Sequence, residues 1–172
     1  MWAAQYYKYR KPRTLLTSGG LGTMGYGLGA SLGAKMACGD MGHPDTPVFN
    51  IAGDGCFRMN CHELATVEHY HLPIITVIFN NSVLGMVRQW QTSFYEGRYS
   101  ATDPHRHTDF VKLAEGFGLK GYRATNPTEF REALADAMKQ DGPTWIDCRI
   151  GKDERVLPMI PGGGDINDII ME

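Results

Sequence analysis

Apolar residues along the chain fall into short runs typical of strands and longer stretches with one apolar face typical of helices. The run at 74–79 is continuously apolar and largely β-branched, as expected for a strand buried on both faces of a sheet. Further strands are predicted at 14–17, 47–52, 119–124 and 145–150. Helices are predicted at 1–9, 24–38, 61–71, 84–90 and 110–117, and after Pro127, where Phe130, Leu134, Ala137 and Met138 share a face.

The alternation of strands and helices predicts one α/β domain with a mostly parallel sheet and right-handed crossovers. We place this domain at residues 1–156. Residues 157–172 hold two prolines and three consecutive glycines, which favours a flexible, extended tail. The apolar helix at 1–9 has no capping residue before it, which indicates a segment of a longer protein.

Composition narrows the class of protein without naming a partner. The 172 residues carry 17 basic and 19 acidic side chains, scattered along the chain, which gives no basic face for nucleic acid. No apolar run approaches the roughly 20 residues that span a bilayer, and the first residues lack the order of a signal peptide. The sequence therefore predicts a cytoplasmic protein with no nucleic-acid or membrane partner and four reduced cysteines.

Glycine-rich or amide-rich loops follow three of the predicted strands, with the sequences SGGLGTMG, GDGCF and NNSVLG. In open parallel sheets, ligands bind beyond the carboxyl ends of the strands. Glycines permit tight turns in which backbone N–H groups approach an anion, and the N-terminus of a following helix adds partial positive charge. The three loops therefore predict a diphosphate site.

A bound diphosphate needs a counter-ion, and the same loops offer ligands for one. Asp54 lies between Gly53 and Gly55 after one strand, and Asn81 follows the next strand. A carboxylate oxygen and an amide oxygen at neighbouring strand ends suit Mg²⁺, which prefers hard oxygen ligands and keeps positions for phosphate oxygens and water. The sequence thus predicts a joint site for Mg²⁺ and a diphosphate.

The pattern GDG followed by NN resembles the signature of thiamine-diphosphate enzymes. The segments GGLGTMGYGLGA, GMVRQWQTSFYEGRYS and VLPMIPGGG are similar to large subunits of the acetolactate synthase family, and the resemblance covers nearly the whole chain. It implies a three-layer α/β/α thiamine-diphosphate-binding fold, with thiamine diphosphate and Mg²⁺ as cofactors. One departure is Leu28-Gly29-Ala30-Ser31 where the family has LPAA, and Gly29 should loosen that helix.

The resemblance assigns cofactor roles to individual residues. Asp54 and Asn81 would ligate Mg²⁺ through their side chains, and Val83 would do so through its backbone carbonyl. The diphosphate would contact the two loops that carry these ligands. The full cofactor-binding set is Gly22, Met24, Gly53, Asp54, Gly55, Cys56, Asn81, Val83, Leu84, Gly85 and Met86.

The resemblance also implies a catalytic set made of Met24, Met86 and Trp90. Met24 would support the bent conformation of the cofactor, while Met86 and Trp90 would line the substrate pocket. Family members decarboxylate pyruvate and join the remaining fragment to a second 2-keto acid, as part of branched-chain amino-acid biosynthesis. The cofactor acts as the electron sink in this chemistry, and the protein orients it.

In that family the catalytic machinery is spread over several domains. The glutamate that activates the pyrimidine ring belongs to an N-terminal domain, and FAD is held largely by a middle domain. We therefore expect this chain to need the missing pyrimidine-binding and middle domains as partners and to form a homo-oligomer. FAD would belong to the parent enzyme only, and the isolated chain would be inactive.

Two other functions fit the same residues. The chain could belong to another thiamine-diphosphate decarboxylase or carboligase that acts on 2-keto acids. Alternatively, it could be a non-catalytic module that binds Mg²⁺ and diphosphate or docks with partner domains. Trp90 and the segment MVRQWQ favour the synthase.

Local alternatives exist for the glycine loop and for Asp54. Residues 20–25 match the dinucleotide fingerprint G-x-G-x-x-G, but Asp54 lies late for its ribose-binding acid, and the NN pair stays unexplained. Asp54 between two glycines could also be an ordinary turn residue. Its joint occurrence with Asn81 and the flanking motifs favours the metal site.

Histidines and large apolar residues also have more than one interpretation. Three histidines near two cysteines suggest zinc, but their spacings form no recognisable ligand pair; these residues are His62, His69, His71, Cys56 and Cys61. His105 and His107 are interpreted as loop residues. Met86 and Trp90 are four positions apart and could simply pack in the core, although their place after the metal loop favours pocket lining.

Overall fold

The computed structural model describes residues 1–104 and 107–171, so the interpretation of His105 lies outside the described residues. Seven α-helices occur in these ranges: α1 Trp2–Tyr6, α2 Tyr26–Asp40, α3 Asp54–Arg58, α4 Leu64–His69, α5 Gly85–Phe94, α6 Phe110–Gly116 and α7 Pro127–Ala137. Four strands occur there: β1 Val48–Gly53, β2 Ile74–Asn80, β3 Lys120–Ala124 and β4 Thr144–Arg149. Two short 3₁₀ helices span Cys61–Glu63 and Ile166–Asp168.

The four strands form one sheet in the order β1-β2-β4-β3, and every pairing is parallel. Parallel neighbours need a crossover connection, which the intervening helices provide. The last strand in sequence, β4, lies between β2 and β3. This architecture confirms the predicted α/β class with a mostly parallel sheet.

Two apolar clusters, one on each face of the sheet, make the fold three-layered. On one face, Ile74 and Ile78 of β2 pack with residues of α2, α3, α4 and α6. On the other face, Ile75 and Val77 of β2 pack with residues of α7. Successive side chains of β2 therefore point into alternate apolar clusters, which explains why the sequence of this strand is apolar almost throughout.

The predicted strand at 14–17 is wrong. These residues have no regular secondary structure, and Leu15 and Leu16 are 43% and 55% exposed. A strand is stabilised by pairing with a neighbouring strand, and a short apolar run in the sequence does not show whether such a neighbour exists. The other predicted strands occur, with shifts of one or two residues at their ends.

The secondary structure at Gly53-Asp54-Gly55 also differs from the one predicted from the sequence. The sequence predicts a glycine-rich loop there, but Asp54 begins helix α3 directly after β1. Gly53 is the N-cap residue of this helix, in an extended conformation. Because helix α3 starts at the strand end, Asp54 lies at the N-terminus of a helix rather than in a free loop.

Both ends of the chain contact each other beside the sheet. The Trp2 ring packs edge-on against Phe79, and the Trp2 indole N–H donates to the carbonyl of Arg155 at 3.2 Å. Gln5 donates to the carbonyl of Pro158 at 2.8 Å. Beyond these contacts, residues 157–171 contain an isolated antiparallel bridge and one 3₁₀ helix, and their flexibility stays a prediction.

Within the described residues, none of the helices is both long enough and apolar enough to cross a membrane.

Candidate cofactor site

The loops predicted to bind the cofactor meet at the carboxyl edge of the sheet. Gly53, the last residue of β1, is in register with Phe79 near the end of β2. Asp54 and Asn81 follow these two strands at neighbouring positions, because adjacent strands lie about 4.8 Å apart. The fold therefore brings to one edge the two side chains that the sequence assigns to Mg²⁺.

Asp54 is a buried carboxyl group, with 3% of its surface exposed. Burial raises its pKa, while the charge of Arg58 and the backbone N–H of Gly55 act in the opposite direction. The position at the N-terminus of α3 favours the ionised form, although a five-residue helix has only a weak dipole. A buried carboxylate of this kind is stabilised by a bound cation.

The loop after β2 is folded tightly by its own side chains. The Asn81 side-chain oxygen accepts a hydrogen bond from the N–H of Val83 at 3.2 Å, and Val83 itself is buried. Ser82 between them has φ of 61°, in the left-handed region. Since an amide oxygen has two lone pairs, that of Asn81 can accept this bond and still ligate a cation.

The start of helix α5 is close to the same loop. A Cβ atom at Gly85 would lie 2.7 Å from the side-chain nitrogen of Asn81, so a larger residue would displace that amide. The N–H of Leu84 donates to the carbonyl of Thr102 at 2.8 Å, and Thr102 is 2% exposed. The loop that carries Asn81 and Val83 is therefore held from both sides.

Gly55 is the point where three of the predicted loops touch. A Cβ atom at this position would lie 3.1 Å from Leu84 and 3.3 Å from the terminal methyl group of Met24. Met24 belongs to the glycine-rich loop and Leu84 to the loop after β2. The absence of a side chain at Gly55 leaves room for backbone to approach a ligand there.

The glycine-rich loop is closed by local hydrogen bonds. The N–H of Gly22 donates to the carbonyl of Ser18 at 2.8 Å, and Gly22 and Gly25 have φ of 62° and 89°. The Asn60 side chain donates to the carbonyl of Gly25 at 2.7 Å, which ties this loop to the segment after α3. Cys56, also in the cofactor-binding set, is a half-buried free cysteine of α3.

Met86 and Trp90 lie on helix α5 and line one shared pocket, and their contact with a substrate stays a prediction. The pocket has a volume of about 510 Å³ and is lined by Met86, Val87, Trp90, Gln91, Tyr95, Arg98 and Ser100. Trp90 is 42% exposed, so it is not a core residue in this chain. A Cβ atom at Gly162 would lie 3.6 Å from the Trp90 ring, which places this glycine of the tail against Trp90.

Two of the alternative interpretations find no support in the structure. The dinucleotide fingerprint requires a strand before its glycines, and residues 14–17 form none. Over residues 1–104 and 107–171, no three His, Cys, Asp or Glu side chains cluster as a metal site would require. The predicted Mg²⁺ site differs in kind, because it uses one carboxylate with amide and carbonyl oxygens.

A buried polar group that the sequence interpretation missed adjoins the metal loop. Asp147, in the middle of β4, is 1% exposed and accepts hydrogen bonds from Asn80, Arg123 and Arg149. The signal was present in the sequence, because an acidic residue next to apolar residues of a strand is rarely buried without a partner. Two of its partners, Asn80 and Arg123, however, are far from Asp147 along the chain.

Gln89 of helix α5 is a second missed residue. It is 4% exposed, and its side chain both accepts from the N–H of Val156 at 2.7 Å and donates to the Val156 carbonyl at 3.0 Å. The Arg88 side chain pairs with Asp153 nearby. The helix that carries Met86 and Trp90 is thereby fixed to the segment after β4.

Known proteins resemble this chain in sequence and in fold. The family described as "Thiamine pyrophosphate enzyme, C-terminal TPP binding domain" matches residues 1–148. The chain is 48% identical to the acetolactate synthase large subunit of Corynebacterium glutamicum, over 98% of this chain and 27% of that protein. It is 43% identical to the mitochondrial acetolactate synthase catalytic subunit of Aspergillus candidus, over 99% of this chain and 24% of that protein.

A solved structure agrees with these sequence matches. The thiamine diphosphate-dependent 4-hydroxybenzoylformate decarboxylase of Rhodococcus jostii superposes with a TM-score of 0.68 and 32% identity, over 77% of this chain and 24% of that chain. The chain spans about a quarter of the length of the curated relatives it matches. From its residues 1–148 and its fold, the chain belongs to the thiamine pyrophosphate enzyme family, as a C-terminal TPP-binding domain.

Proposed function

We propose that this chain is the cofactor-binding domain of an acetolactate synthase catalytic subunit. Such an enzyme decarboxylates pyruvate and joins the remaining two-carbon unit to a second 2-keto acid for branched-chain amino-acid biosynthesis. The observation that carries the proposal is the position of Asp54 and Asn81 after adjacent parallel strands, beside Gly55, where an added Cβ atom would meet Leu84 and Met24. The similarity to synthase subunits over 98% or more of the chain supports it.

The donor atoms at this edge fit Mg²⁺. Asp54 supplies a buried carboxylate, Asn81 an amide oxygen and Val83 a backbone carbonyl, all of them hard oxygen ligands. A cation beside Asp54 would also relieve the cost of keeping its carboxyl group ionised at a buried position. We therefore assign the metal role to these three residues.

The residues around Gly55 would hold a diphosphate group beside that cation. We assign Gly55, Cys56, Leu84 and Gly85 to the diphosphate, Gly22 and Gly53 to cofactor binding in general, and Met24 to the support of the cofactor. When bound, thiamine diphosphate supplies an electron sink for decarboxylation of a 2-keto acid. The part of this chain is to bind and orient the cofactor, while Met86 and Trp90 contribute one wall of the substrate pocket.

A chain of this length is expected to provide only part of the active site. The relatives are about four times longer, and the resemblance places the pyrimidine-binding glutamate and the FAD site in their other domains. We propose that catalysis requires those domains as partners and a homo-oligomeric arrangement. No FAD site is assigned to this chain.

Calorimetric titration with thiamine diphosphate tests the cofactor site. We expect the purified chain to bind thiamine diphosphate in the presence of Mg²⁺ and to lose this binding in its absence. Asp54→Ala should abolish the binding seen with Mg²⁺, because the carboxylate ligand is removed. Asp45→Asn, a change of an exposed acid in the loop before β1, is the matched control and should leave binding unchanged.

The outcome has a clear reading in both directions. Binding that depends on Mg²⁺ and on Asp54 supports the assigned site. Absence of binding would be followed by the same titration with the aligned segment of the Corynebacterium glutamicum relative replaced by this chain, so that the partner domains are present. Failure of that chimaera to bind thiamine diphosphate would overturn the proposal.

The same chimaera distinguishes the synthase from the second candidate function. The structural similarity to a 4-hydroxybenzoylformate decarboxylase favours a decarboxylase that acts on 2-keto acids as that alternative. A synthase should form acetolactate from pyruvate, whereas carbon dioxide and aldehyde without acetolactate would indicate the decarboxylase. Cofactor binding without turnover in any chimaera would favour a non-catalytic module.

The location in the cell is a separate proposal. The names of the relatives include mitochondrial and chloroplastic proteins, so the cytoplasmic location stays a prediction. Fractionation of the source cells followed by immunodetection of the chain would test it.

A further inference from the structure

Asp147 and Asp54 are the buried acidic side chains among the residues that the structure describes. Asp54 has an assigned role at the metal, whereas Asp147 lies one strand farther along the sheet, in β4. The two residues that precede it in β4, Trp145 and Ile146, are apolar and almost fully buried. An isolated carboxylate in such surroundings would be strongly destabilising, so its contacts decide what it does.

Two arginines compensate the charge of Asp147. Arg149 donates to its Oδ2 atom at 3.0 Å, and Arg123 approaches the same atom at 3.5 Å. Arg123 also donates to Asp109, the N-cap residue of α6, at 2.6 Å. All of these cationic contacts fall on Oδ2, which leaves Oδ1 for a different partner.

That partner is Asn80, whose side-chain NH₂ group donates to Oδ1 of Asp147 at 2.8 Å. Asn80 is the last residue of β2, 3% exposed, and directly precedes the metal loop. A carboxylate can only accept hydrogen bonds, so it fixes the amide of Asn80 with its nitrogen toward Asp147 and its oxygen away from it. Asp147 thereby sets which end of the amide faces the loop.

The oxygen of Asn80 then holds Ser82. It accepts hydrogen bonds from both the backbone N–H and the hydroxyl of Ser82, each at 3.2 Å. Ser82 has a left-handed backbone conformation and lies between Asn81 and Val83. The chain of contacts from Asp147 therefore ends at the residue that separates the two metal ligands of this loop.

We propose that Asp147 is a positioning residue for the metal loop, acting through Asn80 and Ser82 to place Asn81 and Val83 for a divalent cation. This inference rests on the proposed Mg²⁺ site. Asp147 itself contacts neither the metal nor the cofactor. Groups that orient metal ligands typically change metal affinity by 10- to 100-fold when they are removed, roughly the range expected here.

The first experiment compares Mg²⁺ affinity in the presence of thiamine diphosphate for the unchanged chain, Asp147→Asn and Asn80→Ala. In Asp147→Asn the new amide can present either end to Asn80, so the orientation of Asn80 is no longer fixed. Asn80→Ala removes the link but leaves Asp147 and its arginines paired. We expect both variants to bind Mg²⁺ about tenfold more weakly, and Asn80→Ala still tests the link if Asp147→Asn does not fold.

A reciprocal exchange separates positioning from a general loss of stability. In the double variant Asn80→Asp with Asp147→Asn, residue 147 donates to residue 80, and residue 80 still accepts from Ser82. The double variant should recover most of the Mg²⁺ affinity that Asp147→Asn loses, even where its thermal stability stays low. The single variant Asn80→Asp sets two carboxylates against each other and should bind Mg²⁺ weakly. Weak binding by this variant would exclude a direct effect of the charge at position 80.

Several results would overturn the inference. Unchanged Mg²⁺ affinity in Asp147→Asn would show that Asp147 serves the fold only. Losses of affinity that follow thermal stability across all variants, without recovery in the exchange, would lead to the same conclusion. If Asn80→Asp alone binds as tightly as the exchange variant, charge rather than positioning is responsible. If the unchanged chain itself lacks Mg²⁺-dependent binding, the proposed metal site fails, and this inference fails with it.

Discussion

At the scale of single residues, Asp54 combines a buried position with a role that requires charge. Its pKa is raised by burial, so the folded chain favours the protonated carboxyl group relative to the unfolded chain. The stability that Asp54 contributes is present at low pH and is lost as the pH rises through the raised pKa. Near neutral pH and without a cation, the ionised group therefore destabilises the chain.

Because the pKa of Asp54 is raised in the folded chain, we expect Asp54→Asn to raise the thermal stability of the metal-free chain at pH 7. In a domain of this size each kcal/mol shifts Tm by about 2 to 4 °C, so a rise of a few degrees is expected. The gain should shrink toward acidic pH, where Asp54 itself is protonated. Scanning calorimetry over a pH series, with Asp45→Asn as a control, measures it, and a lower Tm for Asp54→Asn at pH 7 would contradict the argument.

Gly55 offers a second test at residue scale. Its added Cβ would press on Leu84 and Met24 at 3.1 and 3.3 Å, and both contacts are with the ends of flexible side chains. We therefore expect Gly55→Ala to fold but to bind thiamine diphosphate at least about tenfold more weakly. The added methyl group would crowd the cofactor site, and overpacking of this kind costs about 1–3 kcal/mol, here taken from the free energy of binding. Gly33→Ala, with no atom within 4 Å of its Cβ, should bind normally in the same titration.

At the scale of elements, helix α2 contains glycines with opposite roles. A Cβ at Gly29 meets no atom within 4 Å, whereas one at Gly27 would lie 2.6 Å from the side-chain oxygen of the buried residue Asn50. Gly29→Ala should stabilise the helix by about 0.5 to 1 kcal/mol, and Gly27→Ala should destabilise the domain. Urea unfolding of the two variants tests this, and equal effects would contradict the packing described for α2.

Prediction from sequence succeeded where the pattern of one element decides its state. β2 was recognisable because a strand buried on both faces must be apolar throughout, and Asp54 and Asn81 could be paired because parallel strand ends share an edge. The prediction of a strand at 14–17 failed because a strand forms only where a neighbouring strand pairs with it. Asp147 was missed for the same reason, since its partner Asn80 is 67 residues away.

At the scale of the whole molecule, strand β1 forms one edge of the sheet over the described residues, and part of its surface is uncovered. Phe49 and Ile51, on the face opposite Asn50, are 43% and 42% exposed. Apolar groups on an unpaired strand edge favour association between chains. The chain alone should therefore self-associate as its concentration rises.

Ile51→Thr should weaken this association by about tenfold, which corresponds to about 1.4 kcal/mol, while keeping a β-branched residue in the strand. Ile166→Thr, a change of a 69% exposed residue in the tail, is the control. Sedimentation velocity over a range of concentrations measures both. A monomer at every concentration of the unchanged chain would contradict the prediction.

The place of β4 between β2 and β3 also governs how the molecule can be made. During synthesis, β1 and β2 can pair as soon as residue 80 is available, but β3 pairs with β4 alone among the residues that the structure describes. Until residues 144–149 leave the ribosome, β3 lacks the strand with which it pairs, and such long-range parallel pairing is slow. A nascent chain that stops short of β4 therefore exposes both halves of its core, and the same strand that completes the sheet also delivers Asp147 to the metal loop.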